Sequence, residues 1–235
     1  MYVNHNNDNV YFGTGFITIS FLKYRTTNKG DIVSIPHEYR IFWEQDITMR
    51  QLALCIKTAK EFFNIAGVGP QRVKLKWGHE LDLSAYKCVD ENGRMTGSLD
   101  ADMIADDPKI VSDDYYSLVM TKTPLSGEDG EFVGASWDRI LIIHMDYSHK
   151  LNNRIFKLSR VGIIFHELGH RFGLIPEERT EEVKILVDSE SKHCADKTCV
   201  MYPVVNKEVD SYEEEPFCSI CLRDMHDYVK SNLVP

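Results

Sequence analysis

Apolar positions along the chain fall into two kinds of spacing. Between about Ile47 and Ala66, the residues Leu52, Cys55, Ile56, Ala59, Phe62 and Phe63 recur at intervals of three and four, which sets them on one face of an α-helix. Thr48 followed by Gln51 has the form of a capping box, and Gly67, Gly69 and Pro70 end the segment. Cys55 lies on the apolar stripe and reads as a core residue. A second stripe, Val161, Ile164, Phe165, Leu168 and Phe172, predicts a helix from near Ser159 that packs on a sheet. Strand patterns occupy other stretches. Residues 10–23, VYFGTGFITISFLK, predict one or two strands before a turn at Asn28 to Asp31; RVKLKW at 72–77 alternates, and RILIIHMDY at 139–147 is a strongly apolar strand. The polar, acidic run from Asp90 to Asp107 reads as a solvated loop, and PLSGEDGE at 124–131 as a further break. Residues Glu177 to Val187 have helical character.

Together these elements, strands interspersed with two long helices that can pack on a sheet, predict an α+β protein. At 235 residues, 43% of them hydrophobic and 27% charged, the chain can bury a core of its own. The expected organisation is one domain over 1–235, with an N-terminal subdomain, 1–175, and a small C-terminal subdomain, 176–235. A net charge of -9 gives no support to a nucleic-acid footprint and disfavours anionic membranes. No stretch reaches the roughly 18 to 20 apolar residues that span a bilayer, and MYVNHNNDNV has no basic start before an apolar run. A cytoplasmic location is expected. Cys194, Cys199, Cys218 and Cys221 cluster near the C-terminus, whereas Cys55 and Cys88 stand apart. Without a secretion signal such a cluster reads as a metal site before a disulfide framework.

The second helix carries the sequence HELGH. His166 and His170 are four residues apart, so a helix stacks both imidazoles on one face, where two neutral nitrogens can reach one Zn²⁺. Glu167, next to His166, is poorly placed as a third ligand but well placed as a general base toward metal-activated water. Gly169 between the histidines invites close packing beneath the site, and Gly173 can end the helix with positive φ. An ordinary amphipathic helix is the alternative reading of HExxH alone.

A zinc site that keeps a water needs one more protein ligand. His193 is the first candidate; Glu181 and Glu182, in the segment that follows the helix, are the rivals. Cys194 and Cys199, with the CxxC pair Cys218 and Cys221, have the form of a closed tetrahedral thiolate site. A metal-free reduced cluster, a CxxC redox pair, or His226 in place of one sulfur are the alternatives. His144 and His149 read as packed or incidental, and Glu213 to Glu215 as a solvated acidic run.

The residues His166, Glu167, His170 and Gly173, then His193, Cys194, Cys199 and Met201, then Cys218 and Cys221, form HExxHxxG, HCx₄CxM and CxxC in one order. This pattern resembles the archaemetzincin branch of the metzincin zinc peptidases, over about residues 160–222. The resemblance implies a zincin-like mixed sheet with an edge strand lining a cleft for extended peptide. It implies a catalytic zinc on His166, His170 and His193, Glu167 as base, Met201 in a Met-turn under the metal, and a second, structural zinc on the four cysteines. The family places its third histidine close behind the glycine, where this chain has Pro176; His193 follows an insertion, 177–192, whose part as a lid or a block on the cleft is not legible. The function implied is hydrolysis of peptide or protein substrates with two zinc ions, Tyr202 being a candidate to hold the oxyanion. A zinc-organised peptide- or protein-binding module with little hydrolysis is the alternative. Substrate and oligomeric state are not legible.

Overall fold

The computed structural model describes residues 16–18, 35–69, 71–127, 130–137, 139–145, 153–174, 185–188, 191–202, 204–206 and 215–232. The chain is α+β. Thr48 caps the first helix, α1 (Met49–Ile65), as its sequence predicts: its hydroxyl accepts from Gln51 N at 3.3 Å and Gln51 Oε1 accepts from Thr48 N at 2.8 Å. Before it lies β2 (Glu38–Glu44), after it β3 (Lys74–Leu81), and β1 (Phe16–Thr18) precedes both. The expected strand at 72–77 thus starts two residues later and runs further. Turn residues 28–31, most of 10–23 and His149 lie outside the described residues.

The polar run from Asp90 to Asp107 departs from the loop expected there. It holds β5 (Met95–Asp100) and α2 (Ala101–Ala105), and just ahead of it lies β4 (Lys87–Val89). Leu99, Ala101 and Ile104 are fully buried, and Asp100 caps α2 by accepting from Met103 N at 3.0 Å. Three apolar anchors and one cap outweigh the acidic composition, because the acids face outward. The break at 124–131 is a hairpin, β7 (Leu125–Gly127) and β8 (Gly130–Phe132), that joins β4 and β5 in a four-stranded sheet.

The main sheet has the order β3-β2-β6-β10-β9, where β6 is Tyr116–Thr121, β9 Gly134–Ser136 and β10 Ile140–His144. The first four strands are parallel and β9 is antiparallel to β10. Alternate residues separate its faces. Tyr39, Ile41, Tyr116, Leu118, Met120, Leu141 and Ile143 enter the core beneath α1 and α3 (Asn153–Arg171), whereas Phe42, Val119, Ile140 and Ile142 enter a second core with Leu99, Ile104 and Leu125. Burial on both faces explains the unbroken apolar run of β10. RILIIHMDY is therefore an interior strand, and the free border next to it belongs to β9.

α3 begins at Asn153, six residues earlier than its apolar stripe suggests. Phe62 binds it to α1, with its ring centroid 4.9 Å from Phe172 and 6.1 Å from Phe165. Beyond α3, Ile185–Asp188 forms β11 rather than helix and pairs antiparallel with β12 (Ser191–Cys194). Glu181 and Glu182 lie outside the described residues, as do Glu213 and Glu214. β13 (Val204–Asn206) pairs with β1, and α4 (Ser219–Asn232) follows the last cysteine pair. His226 donates from Nε2 to Ile65 O at 2.8 Å, so it ties α4 to the end of α1 and does not join the sulfurs. His144 is packed, its Nε2 donating to Lys122 O at 2.9 Å. Among the described residues no helix is long and apolar enough to cross a membrane.

Candidate metal centres

α3 brings His166 and His170 together, and β12 delivers His193 to them. Their ring centroids are 4.7, 5.2 and 5.3 Å apart, and all three side chains are buried. Two of the rings have assigned orientations. His166 Nδ1 lies 2.8 Å from Val200 O and His170 Nδ1 lies 3.0 Å from Leu174 O. A carbonyl only accepts, so each Nδ1 carries the proton and each Nε2 presents a lone pair. These lone pairs face one another at 3.1 Å. Ligands about 2.05 Å from a tetrahedral zinc stand about 3.3 Å apart. A cation shared between the two nitrogens therefore relieves a repulsion that the protein otherwise builds into its interior. Burial lowers His166 to about 4 and His170 well below its ordinary value, which keeps both imidazoles in the neutral, ligating form at neutral pH.

The second carbonyl comes from the way α3 ends. Gly173 has φ +72°, Leu174 N donates to Gly169 O at 3.0 Å and Gly173 N to His170 O at 3.2 Å. This is a Schellman turn. It folds the Leu174 carbonyl back onto His170, so the glycine that ends the helix also orients the second histidine. Tyr228 of α4 covers the same glycine, its ring standing where a Cβ would be. Gly169 serves a different contact: a Cβ there would be 2.5 Å from Met201 Sδ. Met201, fully buried, thus lies directly against the helix between the two histidines.

Glu167 is fully buried, and neither carboxylate oxygen has a hydrogen-bond partner among the described residues. Desolvation raises it to about 8. A buried carboxylate without a partner carries a desolvation penalty, which a cation held by the neighbouring histidines would offset. The edge strand β9 runs against this carboxylate: a Cβ at Gly134 would stand 3.0 Å from Glu167 Oε1 and 2.9 Å from Ile163 Cγ2. On either side of β9, Val133 O accepts from His144 N and Trp137 N donates to Ile140 O, at 2.9 and 2.8 Å. By the alternation of an antiparallel ladder, the backbone groups of Gly134 and Ser136 point away from β10. No strand among the described residues pairs with that side.

The second centre is built from sulfur. Cys194, Cys199, Cys218 and Cys221 bring their Sγ atoms within 4.8 Å of one another, and all four are free thiols. Cys194 and Cys218 Sγ are 3.7 Å apart, far outside the about 2.05 Å of a disulfide and close to the about 3.8 Å edge of a Zn–S₄ tetrahedron. Cys218 N donates to Cys199 Sγ at 3.4 Å. Both clusters thus offer donor sets and spacings that suit zinc.

Tyr202 is half-buried just beyond Met201. Its backbone N–H donates to Cys199 O at 3.0 Å, and its hydroxyl has no hydrogen bond among the described residues. Sequence spacing marked the histidines, Glu167 and the cysteines, and the resemblance added Met201. The Val200 and Leu174 carbonyls left no signal, since a backbone acceptor can come from any residue. Gly134 left none either, because its role depends on a neighbour 33 positions away in the chain.

No protein-family model and no curated protein matches the chain. Solved structures do. Archaemetzincin from Methanopyrus kandleri matches with TM-score 0.57 and 19% identity over 83% of this chain and 96% of that one. Archaemetzincin from Archaeoglobus fulgidus, complexed with malonate, matches with TM-score 0.51 and 16% identity over 79% of this chain and 99% of that one. At such identities the likeness is one of fold.

Proposed function

We propose that the chain is an archaemetzincin-like zinc peptidase in which His166, His170 and His193 hold the catalytic metal and Glu167 is the general base. The observation that carries this reading is the unpartnered Glu167 carboxylate, buried beside three histidines whose nitrogens converge. The cysteine cluster is the structural zinc site. Zinc held by the histidines supplies a Lewis acid for a scissile carbonyl and lowers the pKa of water toward about 7.

The chain's own groups do the rest. An extended peptide pairs with the outward backbone groups of Gly134 and Ser136, which brings its carbonyl across the Glu167 carboxylate. Glu167, ionised by the neighbouring cation, takes a proton from the attacking water on one oxygen and gives it to the leaving amine nitrogen. Val200 and Leu174 keep the histidine tautomers fixed throughout. Tyr202 is assigned to the oxyanion: its hydroxyl is uncommitted among the described residues and sits one residue past Met201.

The zinc-loaded chain is expected to cleave members of a mixed peptide library, and Glu167→Gln to retain both metals with turnover lower by about 10² to 10⁴. Equal cleavage by the two proteins rules Glu167 out as base. The alternative, a zinc-organised binding module, draws on the complete burial of Glu167, which is 0% exposed. It predicts peptides retained uncleaved by parent and variant alike.

A further inference from the structure

The two ligand clusters share a piece of chain. His193 and Cys194 are consecutive, so one residue serves the histidine cluster and the next the sulfur cluster. From Cys194 the chain runs to Met201 and returns, closed by Cys194 N donating to Met201 O at 2.9 Å. Inside this loop an Asp196 turn, with Thr198 N on Oδ1 at 2.9 Å and Cys199 N on Asp196 O at 3.1 Å, returns Cys199 to the sulfurs. Val200 N then donates to Pro216 O at 2.7 Å, which ties the loop to the segment entering Cys218. The same Val200 turns its carbonyl the other way, onto His166 Nδ1 at 2.8 Å. Met201 completes the loop against Gly169.

From outside α3 the histidine cluster is thus supported by the Leu174 carbonyl, by the pairing of His193 with Leu186 across β11 and β12, and by this loop, which the sulfur cluster anchors at Cys194 and Cys199. Without a metal, four thiols packed within 4.8 Å have little reason to stay together, and the loop loses its anchors. The histidine cluster then keeps two residues on a preformed helix and loses the acceptor for His166, its Met201 floor and the anchor on the C-terminal side of His193.

We propose that the loop 193–201 makes metal binding at the two clusters cooperative, with the Val200 carbonyl as the positioning group that links them. This rests on reading both clusters as metal sites, but not on peptide hydrolysis. Filling the sulfur cluster preorganises the histidine cluster, so the sulfur cluster fills first and the histidine cluster binds tightly only afterward. Loss of an orienting partner outside the ligand shell typically costs 10- to 100-fold in metal affinity, and this is the size expected for the coupling. By linkage, metal in the histidine cluster tightens the sulfur cluster by the same factor.

The test uses metal-stripped, reduced full-length protein titrated with Co²⁺, which absorbs strongly when bound by thiolates and weakly when bound by imidazoles. Parent protein is expected to show the thiolate band first. In Cys218→Ser/Cys221→Ser, which alters only ligands contributed from α4 and its entry, the histidine cluster is expected to bind Co²⁺ about 10- to 100-fold more weakly. Histidine-cluster affinity within twofold of the parent, in a variant with parental far-ultraviolet dichroism, overturns the proposal. A reverse measurement leaves the sulfur ligands intact: His170→Ala is expected to loosen Co²⁺ in the sulfur cluster by the same factor relative to doubly loaded parent. An unchanged sulfur-cluster affinity there overturns it equally. Both readouts stand whether or not any peptide is cleaved.

Discussion

Gly134, Gly169 and Gly173 each give up a side chain so that another group can stand where a Cβ would be: the Glu167 carboxylate, the Met201 thioether and the Tyr228 ring. Their substitution should therefore separate by what is displaced. At Gly134 a methyl presses on the free end of Glu167, so Gly134→Ala is expected to lower peptide turnover about 10- to 100-fold with both metals retained, read from kcat and zinc content together. Metal loss in that variant would instead point to a collapsed helix. At Gly173 the backbone itself resists, since φ +72° costs an L-residue roughly 1 to 2 kcal/mol before the Tyr228 ring is moved. Gly173→Ala should lose at least that much in urea unfolding, and should weaken the histidine cluster because the Leu174 carbonyl no longer meets His170. The positive φ of Gly173 and the close packing at Gly169 were foreseeable at this scale; which group fills each gap depends on distant parts of the chain.

Among the elements, α1 and α3 were legible because each shows an apolar face over many turns, and α1 because Thr48 and Gln51 cap it as written. Their contact runs through Phe62, which meets Phe165, Phe172 and Phe217 at centroid distances of 6.1, 4.9 and 5.9 Å. Phe62→Ala should cost about 3 to 5 kcal/mol in unfolding free energy, because the helices on either side cannot close the cavity. The run from Asp90 to Asp107 was misread as loop, its strand and single helical turn being too short for a period to emerge from the surrounding acids. A side-chain bond secures it: Tyr86 donates its hydroxyl to Asp107. That bond is the leading cause of a lowered Asp107 carboxyl, whereas burial first and then the bond push Tyr86 to about 12. A carboxyl with a depressed folded value stabilises the fold above its unfolded pKa, near 3.9, and loses that contribution as pH falls through the folded value. The stability gap between parent and Tyr86→Phe should thus be full near pH 6 and shrink toward about pH 3, as urea midpoints across that range would show.

In the whole molecule, a five-stranded sheet whose central strands β6 and β10 are buried carries the core, while the C-terminal part is expected to depend on four sulfurs. Stripping the metal with a chelator under reducing conditions is expected to raise amide hydrogen exchange in 193–201 and in α4, with β6 and β10 still protected. Uniform loss of protection would mean that the sulfur cluster holds the entire fold. Sequence alone determined the helices that show a sustained period and marked eight candidate ligand or base residues, three histidines, Glu167 and four cysteines from His166 to Cys221, because imidazole, carboxylate and thiolate spacings are local records of what they can bind. It left open whether His193 or a glutamate joined the pair on α3. Tertiary structure brought His193 to His166 and His170 on a hairpin strand, put β9 rather than β10 at the border of the sheet, and turned two anonymous carbonyls onto the histidines. Those choices rest on pairing between distant segments and on backbone atoms that every residue shares, so no side-chain pattern could record them.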